Sequence, residues 1–462
     1  MLNPLQSWQQ LWLKSLLFIL FGYSMFGRTF AYFFFGELVL CIGIILFLLQ
    51  PRFTLVLSNR VLLLWGLFAF LGLVRTMPFL GLYKFAAIRD AVLWAYGIFA
   101  LLIVAFLNRS LQISKALNTY RKFLRWFIPI IPIFLAIAQF SGGKLPHLPW
   151  ASDITLLAIK APDTGVHLGA AGLFLLLFPD DRQSVRKPDL SLHRVLAFIG
   201  FGLCATEVAV LSRGGLVAMM IPIILASALR PKSVGWKAAG LSIGLIVLSL
   251  AVLESNVITT NVRGRALNAD TVARNLDSIT GNGTGVGGQQ ENKAWRLIWW
   301  HRIVDYTVFG PYFWSGKGFG VNLATSDGPP GIPSDEARLR SPHNGHMTVL
   351  ARMGVPGALL WIILNLTFAV SLFRAYLLSN RARSAFWSSL YLWILCYWLA
   401  LVINMSFDVY VEGPQGGIWF WSIIGFGAAA MRIQSFEARR ADLHAARSAS
   451  NPLENRGPLV VA

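Results

Sequence analysis

The composition of this chain excludes a soluble globular protein. Of its 462 residues, 56% are hydrophobic and only 13% are charged, and apolar runs of about 20 residues, enough to cross a bilayer, recur from Leu11 to Met431. The net charge of +19 would suit a nucleic-acid partner, but basic residues of membrane proteins gather in cytoplasmic loops, so we expect none.

The apolar periodicity predicts an all-α polytopic membrane protein with about twelve transmembrane helices. We place these helices near residues 11–27, 30–49, 60–75, 87–107, 123–140, 164–179, 193–211, 215–229, 235–253, 345–374, 385–405 and 415–432. The chain then divides into nine helices in residues 1–253, a large loop in 254–342, three helices in 343–432 and a tail in 433–462.

Basic residues alternate between the predicted connections, as the positive-inside rule requires of a membrane protein. The basic connections lie near residues 52–60, 109–125, 182–194, 230–237 and 374–383, and the tail is basic as well. This alternation predicts that both termini are cytoplasmic and that the 254–342 loop faces outward. Membrane lipids are therefore expected partners of the chain.

Arg213 is informative because it lies on the outer side, where topology requires no basic residue. It belongs to the segment Leu211-Ser212-Arg213-Gly214-Gly215, a tight break between two predicted helices. The glycines let backbone N–H groups approach a ligand, and the start of the next helix favours an anion. An arginine that reaches toward lipid headgroups is the alternative interpretation.

The outer loop contains a predicted helix from Gln289 to Phe309. Apolar side chains recur there at three- and four-residue spacing, namely Trp295, Trp299, Trp300, Ile303 and Val304. Trp-rich amphipathic helices of this kind lie in the membrane interface, and Arg296 would lie on or beside the buried face. We interpret residues 281–288 as a glycine-rich linker and Gly310–Gly320 as a compact turn rich in aromatic residues and glycine.

Two histidines follow the outer loop where the chain re-enters the membrane. His343 and His346 lie at the mouth of the predicted 345–374 helix, where chemistry can reach both a lipid-anchored substrate and water. Asn344 can cap that helix. Histidine titrates near neutral pH and can act as a general base, although one at a helix entrance can also be a hydrogen-bonded structural residue. His346 lies about one turn into the helix, which suits packing better.

Topology brings the outer basic residues to the level of the two histidines. Arg213, Arg296 and Arg302 converge there, and Lys84 and Arg89 lie at the outer edge of the fourth predicted helix. Arginine forks match phosphate oxygens and stay charged at any working pH, which suits a diphosphate. The outer face carries no Asp-x-Asp pair for a metal ion, so we expect neither a metal nor another cofactor.

An ordered set of motifs resembles the O-antigen ligase and polymerase superfamily of bacterial envelope glycosyltransferases. The motifs are Arg213-Gly214-Gly215 after a membrane helix, Arg296 four residues before Trp300, Gly316-x-Gly318-x-Gly320 following Pro311, and Pro342-His343-Asn344 with Gly354 and Gly357 behind it. The resemblance covers residues 200–375 by motif and the whole chain by topology. It implies a GT-C-type enzyme of the bacterial inner membrane that takes a glycan from undecaprenyl diphosphate on the periplasmic side without a metal ion.

The resemblance also implies roles for individual residues. His343 matches the proposed base, while Arg213 and Arg296 match the basic residues that hold the diphosphate. The expected reaction is a direct displacement with inversion of the anomeric carbon. His346 stands where the family often has an apolar or aromatic residue, which leaves open which imidazole acts. Apart from the resemblance, predicted positions beside this site make Lys84, Arg89, Arg302, Asn344 and His346 the expected substrate-binding residues.

Two questions about function stay open at the level of the sequence. A transporter or flippase for polysaccharide or lipid-linked oligosaccharide would also use many helices and a basic outer cavity, but it predicts broken helices and charges spread along a path. A scaffold protein without catalytic activity would not explain a histidine at the position of His343. A ligase acting on lipid A–core and a polymerase acting on a lipid-linked glycan need the same arginines and base, so both acceptors remain candidates.

Overall fold

The structure is a computed structural model that describes residues 4–54, 58–141, 145–178, 211–229, 261–262, 265–266, 289–328 and 339–450, together with 202, 205, 208 and 209. The described chain is mostly helical. Its helices are α1 (Pro4–Tyr32), α2 (Phe35–Leu49), α3 (Arg60–Tyr83), α4 (Phe85–Ala95), α5 (Gly97–Phe106), α6 (Ser110–Phe140), α7 (Ala161–Leu177), α8 (Arg213–Leu229), α9 (Gln289–Thr307), α10 (Leu323–Asp327), α11 (Gly345–Arg381), α12 (Ala385–Met405) and α13 (Pro414–Ser450). Two short antiparallel hairpins pair β1 (His147–Leu148) with β2 (Ala151–Thr155) and β3 (Asn261–Val262) with β4 (Arg265–Ala266).

Helix length and hydropathy support a polytopic membrane protein. Among the described residues, α1, α3, α11, α12 and α13 are long and apolar enough to cross a bilayer, and α4 with α5 makes a sixth candidate span. Helices α2, α7 and α8 are apolar but shorter. The predicted helix 235–253 and most of 193–211 lie outside the described residues, so the number of twelve remains a prediction, as do the outward position of the loop and the domain bounds.

Several predicted helix limits are wrong. Helix α3 continues to Tyr83, eight residues beyond its predicted end, so Arg75 lies on a helix and not in a connection. Likewise α6 begins at Ser110, which places the basic residues from Lys115 to Arg125 on helical backbone. The predictions stopped at charged residues, but long basic side chains can lie along a helix while their charged ends reach water.

The predicted helix 87–107 is two helices, α4 and α5, bent by 44°. An ideal Cβ at Gly97 would lie 1.7 Å from Trp65 Nε1, so only glycine allows α5 to approach α3 this closely. Trp65 Nε1 donates to the Trp94 carbonyl at 3.0 Å, and Trp421 Nε1 donates to the Leu93 carbonyl at 3.2 Å. These indoles satisfy backbone groups at the bend, as the membrane interior requires.

Helix α12 forms the centre of the bundle, because nearly every side chain from Leu390 to Trp398 is buried. Helices α7, α8 and α11 pack around it, and α13 packs along α5. His167 of α7 ties these elements together, since its Nδ1 lies 2.7 Å from Tyr397 Oη and its Nε2 lies 3.0 Å from Tyr410 Oη. Helix α7 is thereby fixed to α12 and to the turn that joins α12 to α13.

Helix α9 buries the tryptophan face that the spacing predicts, but this face packs on protein and not on lipid. Trp295 and Trp299 are almost fully buried in a cluster with Ile303, Leu323 and Ala351. Trp299 Nε1 also donates to Asp327 Oδ2 at 2.6 Å. The expectation of an interfacial helix is therefore wrong for this face, because α10 and α11 cover it.

The Gly310–Gly320 segment is a compact turn, as predicted, and it docks on a kink of α11. Lys317 N donates to the Ala351 carbonyl at 2.7 Å, and Val355 N donates to the Phe313 carbonyl at 2.8 Å. The kink residue, Gly354, has a φ of 68°, and an ideal Cβ on it would lie 2.4 Å from Phe313 O. Glycine is therefore required at this contact.

We expect Gly354→Ala to destabilise the protein by about 2 kcal/mol or more, because it adds left-handed strain to an overlap with backbone. Thermal unfolding of the purified protein in detergent measures this loss. Gly81→Ala is the matched control, since Gly81 lies in α3 and an added Cβ meets nothing within 4 Å. Equal unfolding temperatures for the two variants would contradict the role assigned to Gly354.

Candidate active site

The candidate site is built around residues 406–413, the turn between α12 and α13. This segment reads Ser406-Phe407-Asp408-Val409-Tyr410-Val411-Glu412-Gly413. Helix α8 begins against it, because an ideal Cβ on Gly214 would lie 3.1 Å from Phe407 Cβ. Helix α11 begins there too, with Gly345 placed against Val411. The turn thus gathers the starts of two helices that carry predicted site residues.

Asp408 joins two of the elements that meet at the turn. Its Oδ2 lies 3.3 Å from Lys160 Nζ, and its Oδ1 lies 3.5 Å from His343 Nδ1. Burial alone would raise the pKa of the Asp408 carboxyl, but Lys160 and then His343 hold that pKa well below its usual range. The carboxylate is therefore ionised, accepts a hydrogen bond from Lys160 Nζ and faces the Nδ1 of His343.

His343 is held in one orientation by its backbone and by its ring contacts. Its φ of 51° lies in the left-handed region, which costs a non-glycine residue of order 1 kcal/mol or more and is concentrated at functional sites. The ring meets Trp295 edge-on with centroids 6.0 Å apart. Its Nε2 is buried and has no hydrogen-bond partner within the described ranges.

This orientation favours a particular tautomer of His343. A neutral imidazole that donates from Nδ1 to a carboxylate keeps a lone pair on Nε2. A ring whose Nδ1 faces a fixed carboxylate and whose Nε2 carries a buried lone pair can act as a general base toward a hydroxyl group that reaches Nε2.

His346 has a different environment. Trp361 Nε1 donates to His346 Nδ1 at 2.9 Å, so the proton of the neutral ring lies on Nε2, which is 3.2 Å from Ser406 Oγ. Both ring nitrogens are engaged within the protein. Asn344 caps α11, as predicted, because its Oδ1 accepts from His346 N at 2.9 Å and from Met347 N at 3.1 Å.

Both arginines expected to hold a diphosphate lie beside the same turn. Arg296 Nη1 donates to the Phe407 carbonyl at 3.1 Å, and its guanidinium carbon lies 5.3 Å from the Trp295 ring centroid. Arg213 is the first residue of α8, next to the glycine that packs on Phe407. The structure therefore brings Arg213, Arg296 and His343 to one place.

The structure does not bring Arg302, Lys84 and Arg89 to this turn. Arg302 Nη1 donates to the carbonyls of Asp327 and Gly328. Lys84 is exposed at the junction of α3 and α4, and Arg89 pairs with its neighbour Asp90 at 3.2 Å. Within the described part of the chain, no hydrogen bond or ion pair links the three residues to His343.

A second charged cluster lies beyond the turn. Asp90 Oδ2 accepts from Arg352 Nη2 at 3.0 Å, from Arg340 Nη2 at 3.2 Å and from Gly320 N at 3.1 Å. Thr348 Oγ1 donates to Glu412 at 2.6 Å, and burial raises the pKa of the Glu412 carboxyl. These contacts fasten α4, α11 and the glycine turn behind the site.

Lys160 and Asp408 were missing from the sequence-based site. A signal for Lys160 did exist, because it is a basic residue in a predicted outer connection, the criterion that singled out Arg213. Asp408 lies in the short connection between the predicted helices 385–405 and 415–432, where nothing in the sequence indicates a role for it. Its pairing with Lys160 spans 248 residues, and no local pattern predicts such a contact.

Comparison with known families supports the resemblance found in the sequence. Residues 195–362 match the family model described as O-antigen ligase. This segment, little more than a third of the chain, contains Arg213, Arg296 and His343, whereas Lys160 and Asp408 lie outside it. No curated protein sequence matches the chain.

The low pKa of Asp408 predicts a pH-dependent contribution to stability. A depressed carboxyl pKa stabilises the fold above the ordinary aspartate pKa of about 4, and this stabilisation is lost as pH falls toward the folded-state value. We expect Asp408→Asn to unfold at a lower temperature than the unmodified protein at pH 7. The difference should shrink between pH 5 and pH 3, as thermal unfolding in detergent would show.

Asp305→Asn is the matched control for this prediction. Asp305 is exposed and, among the described residues, pairs only with His301, at 3.8 Å, so its replacement should change the unfolding temperature little at any pH. A deficit of Asp408→Asn that is the same at pH 7 and pH 3 would contradict the charge pairing.

Proposed function

We propose that this chain, which belongs to the O-antigen ligase and polymerase superfamily, moves a glycan from undecaprenyl diphosphate to a sugar hydroxyl at the periplasmic face of the bacterial inner membrane. The acceptor is lipid A–core for a ligase or a lipid-linked glycan for a polymerase. The observation that carries the proposal is the setting of His343, with Nδ1 toward Asp408 and Nε2 buried without a partner among the described residues.

His343 is the proposed general base. Its Nε2 removes the proton from the acceptor hydroxyl, and the resulting oxygen attacks the anomeric carbon while the bond from that carbon to the diphosphate breaks. Asp408 holds the ring through Nδ1 and stabilises the imidazolium that forms. Lys160 fixes the other carboxylate oxygen of Asp408. Attack opposite the leaving group inverts the anomeric configuration.

Arg213 and Arg296 are proposed to stabilise the departing diphosphate. Charge develops on the leaving group in the transition state, and cations fixed beforehand at that position lower the barrier most effectively. Arg296 is fixed by the Phe407 carbonyl and by the Trp295 ring, and Arg213 opens a helix whose N-terminus also favours an anion. With arginines in this role, the transfer needs no metal ion.

The other residues that were expected to bind substrate are proposed to act away from the reacting atoms. Lys84 and Arg89 contact donor or acceptor away from the reacting atoms, because neither reaches the 406–413 turn in the described structure. Asn344 and His346 act by fixing the start of α11, and Arg302 acts by fixing the end of α10.

A transfer assay with purified protein in liposomes tests this function. The liposomes carry an undecaprenyl-diphosphate-linked glycan, with or without lipid A–core, and excess EDTA is present in one arm. We expect a new glycosidic bond and released undecaprenyl diphosphate with and without EDTA. A product on lipid A–core identifies a ligase, and a longer lipid-linked glycan identifies a polymerase. Movement of the donor across the bilayer without bond formation would identify a transporter and overturn the proposal.

The assignment of the base predicts unequal effects of the two histidines. Positioned general bases contribute about 100- to 10,000-fold, so His343→Ala should lose transfer by about that factor, while His346→Ala should be only impaired. The measurement is the initial rate of glycan transfer, with donor binding determined separately. An inactive His346→Ala beside an active His343→Ala would reverse the assignment, and normal turnover by both would exclude a histidine base.

The assignment of the arginines predicts that Arg213→Ala and Arg296→Ala each lose most transfer activity while membrane insertion persists. Lysine should substitute poorly, because it lacks the planar fork that binds two phosphate oxygens. Arg439→Ala is the control, since this arginine is exposed far along α13. Near-normal turnover of purified Arg213→Ala would remove Arg213 from the mechanism.

A further inference from the structure

A cavity of about 130 Å³ lies between α1, α5, α6, α12 and α13. One part of its wall is polar and is formed by Gln10, Lys14, Gln112, Lys115 and Thr119. The rest of the wall is mainly apolar and includes Leu17, Trp393 and Phe426. None of these residues belongs to the candidate active site.

The polar part of the cavity opens at the end of the bundle opposite His343. Helix α6 begins at Ser110, whose N–H donates to Glu437 Oε1 at 3.2 Å. Glu437 lies roughly 35 Å along α13 from the 406–413 turn, at about 1.5 Å per residue. Because Lys115 follows within two turns of Ser110, the cavity mouth lies near the other membrane surface.

The charge at this mouth suits an anion held at a membrane surface. Lys14 and Lys115 come from different helices, both are exposed, and both line the cavity. Neither lysine forms an ion pair with any residue of the described chain, and the cavity wall contains no carboxylate. Lysines near a membrane surface attract anionic lipid headgroups.

A buried hydroxyl group provides a second, independent observation. Ser422 lines the same cavity and is only 4% exposed. Its Oγ has no hydrogen-bond partner within the described residues, although buried hydroxyls are normally bonded and helical serines often donate to a carbonyl one turn earlier. The hydroxyl is therefore free to donate to an acceptor inside the cavity.

We propose that this cavity binds an anionic phospholipid. The phosphate lies between Lys14 and Lys115, Ser422 Oγ donates to an ester carbonyl, and part of one acyl chain packs against Trp393 and Phe426. An apolar cavity of about 150 Å³ accommodates benzene, so this volume suits a short length of chain. The apolar wall favours a lipid as the occupant, because a free phosphate ion would contact only the lysines at the mouth and leave the apolar wall uncovered.

Lipid binding to the full chain, purified and delipidated in detergent, tests the proposal without any measurement of transfer. Native mass spectrometry compares phosphatidylglycerol with phosphatidylcholine of the same acyl chains, and glycerol 3-phosphate is added as a competitor. We expect saturable binding of phosphatidylglycerol, weaker binding of phosphatidylcholine and no competition by glycerol 3-phosphate. Competition by glycerol 3-phosphate at equal concentration would show that the site binds free phosphate compounds and would contradict the assignment to a phospholipid.

Variants locate the lipid in the cavity. Lys14→Gln and Lys115→Gln should each weaken phosphatidylglycerol binding about fivefold. Lys122→Gln on the same helix as Lys115 should not, because Lys122 is exposed but does not line the cavity. Ala116→Trp should fill the cavity and reduce binding of both lipids while the unfolding temperature is kept. Unchanged phosphatidylglycerol binding by a variant with both Lys14→Gln and Lys115→Gln would overturn the proposal. An equal loss of phosphatidylglycerol binding in Lys122→Gln would overturn it as well.

Discussion

The pairing of the Asp408 carboxylate with Lys160 and His343 is the interaction on which this end of the helix bundle depends. A buried carboxylate is costly unless cations and donors surround it, so the elements that supply them cannot separate without penalty. Lys160 precedes α7, His343 precedes α11, and Asp408 itself lies between α12 and α13. One ionised group thus fixes the starts of two helices against a turn carried by two others, and the base is aligned as a consequence.

The parts of this site that the sequence predicted are those with a local signal. Arg213 and Arg296 were visible as outer cations, His343 as an imidazole at a helix mouth, and Asn344 as a cap. Asp408 had no such signal, because its function comes from contacts with residues that are distant in the chain. The predicted topology puts Lys160 on the outer side but does not indicate its partner. The residues of a short segment indicate its local chemistry, whereas an ion pair between residues that are distant in the chain can be identified only from the folded structure.

The helices show the same division between what is local and what is not. The spacing of Trp295 and Trp299 correctly predicted a helix with one buried face, but the pattern does not state whether lipid or protein covers that face. Here Leu323 and Ala351 cover it. The end of α3 was predicted at Arg75 because the mean hydropathy falls at a charged residue. The helix instead continues to Tyr83, since backbone groups in lipid still need their helical hydrogen-bond partners.

Three groups can be distinguished among the basic residues outside the candidate active site. The first group is the set of basic residues in predicted connections, which the positive-inside rule explains. A second group is buried with acidic partners: Arg352 is only 2% exposed and binds Asp90, and removing one member of such a pair leaves an uncompensated buried charge that costs about 3 to 5 kcal/mol. A third group, Lys14 and Lys115, lines a cavity with no acidic partner in the described chain. Loss of a residue from the second group should therefore destabilise the fold, whereas loss from the third should weaken binding of the proposed lipid and leave the fold intact.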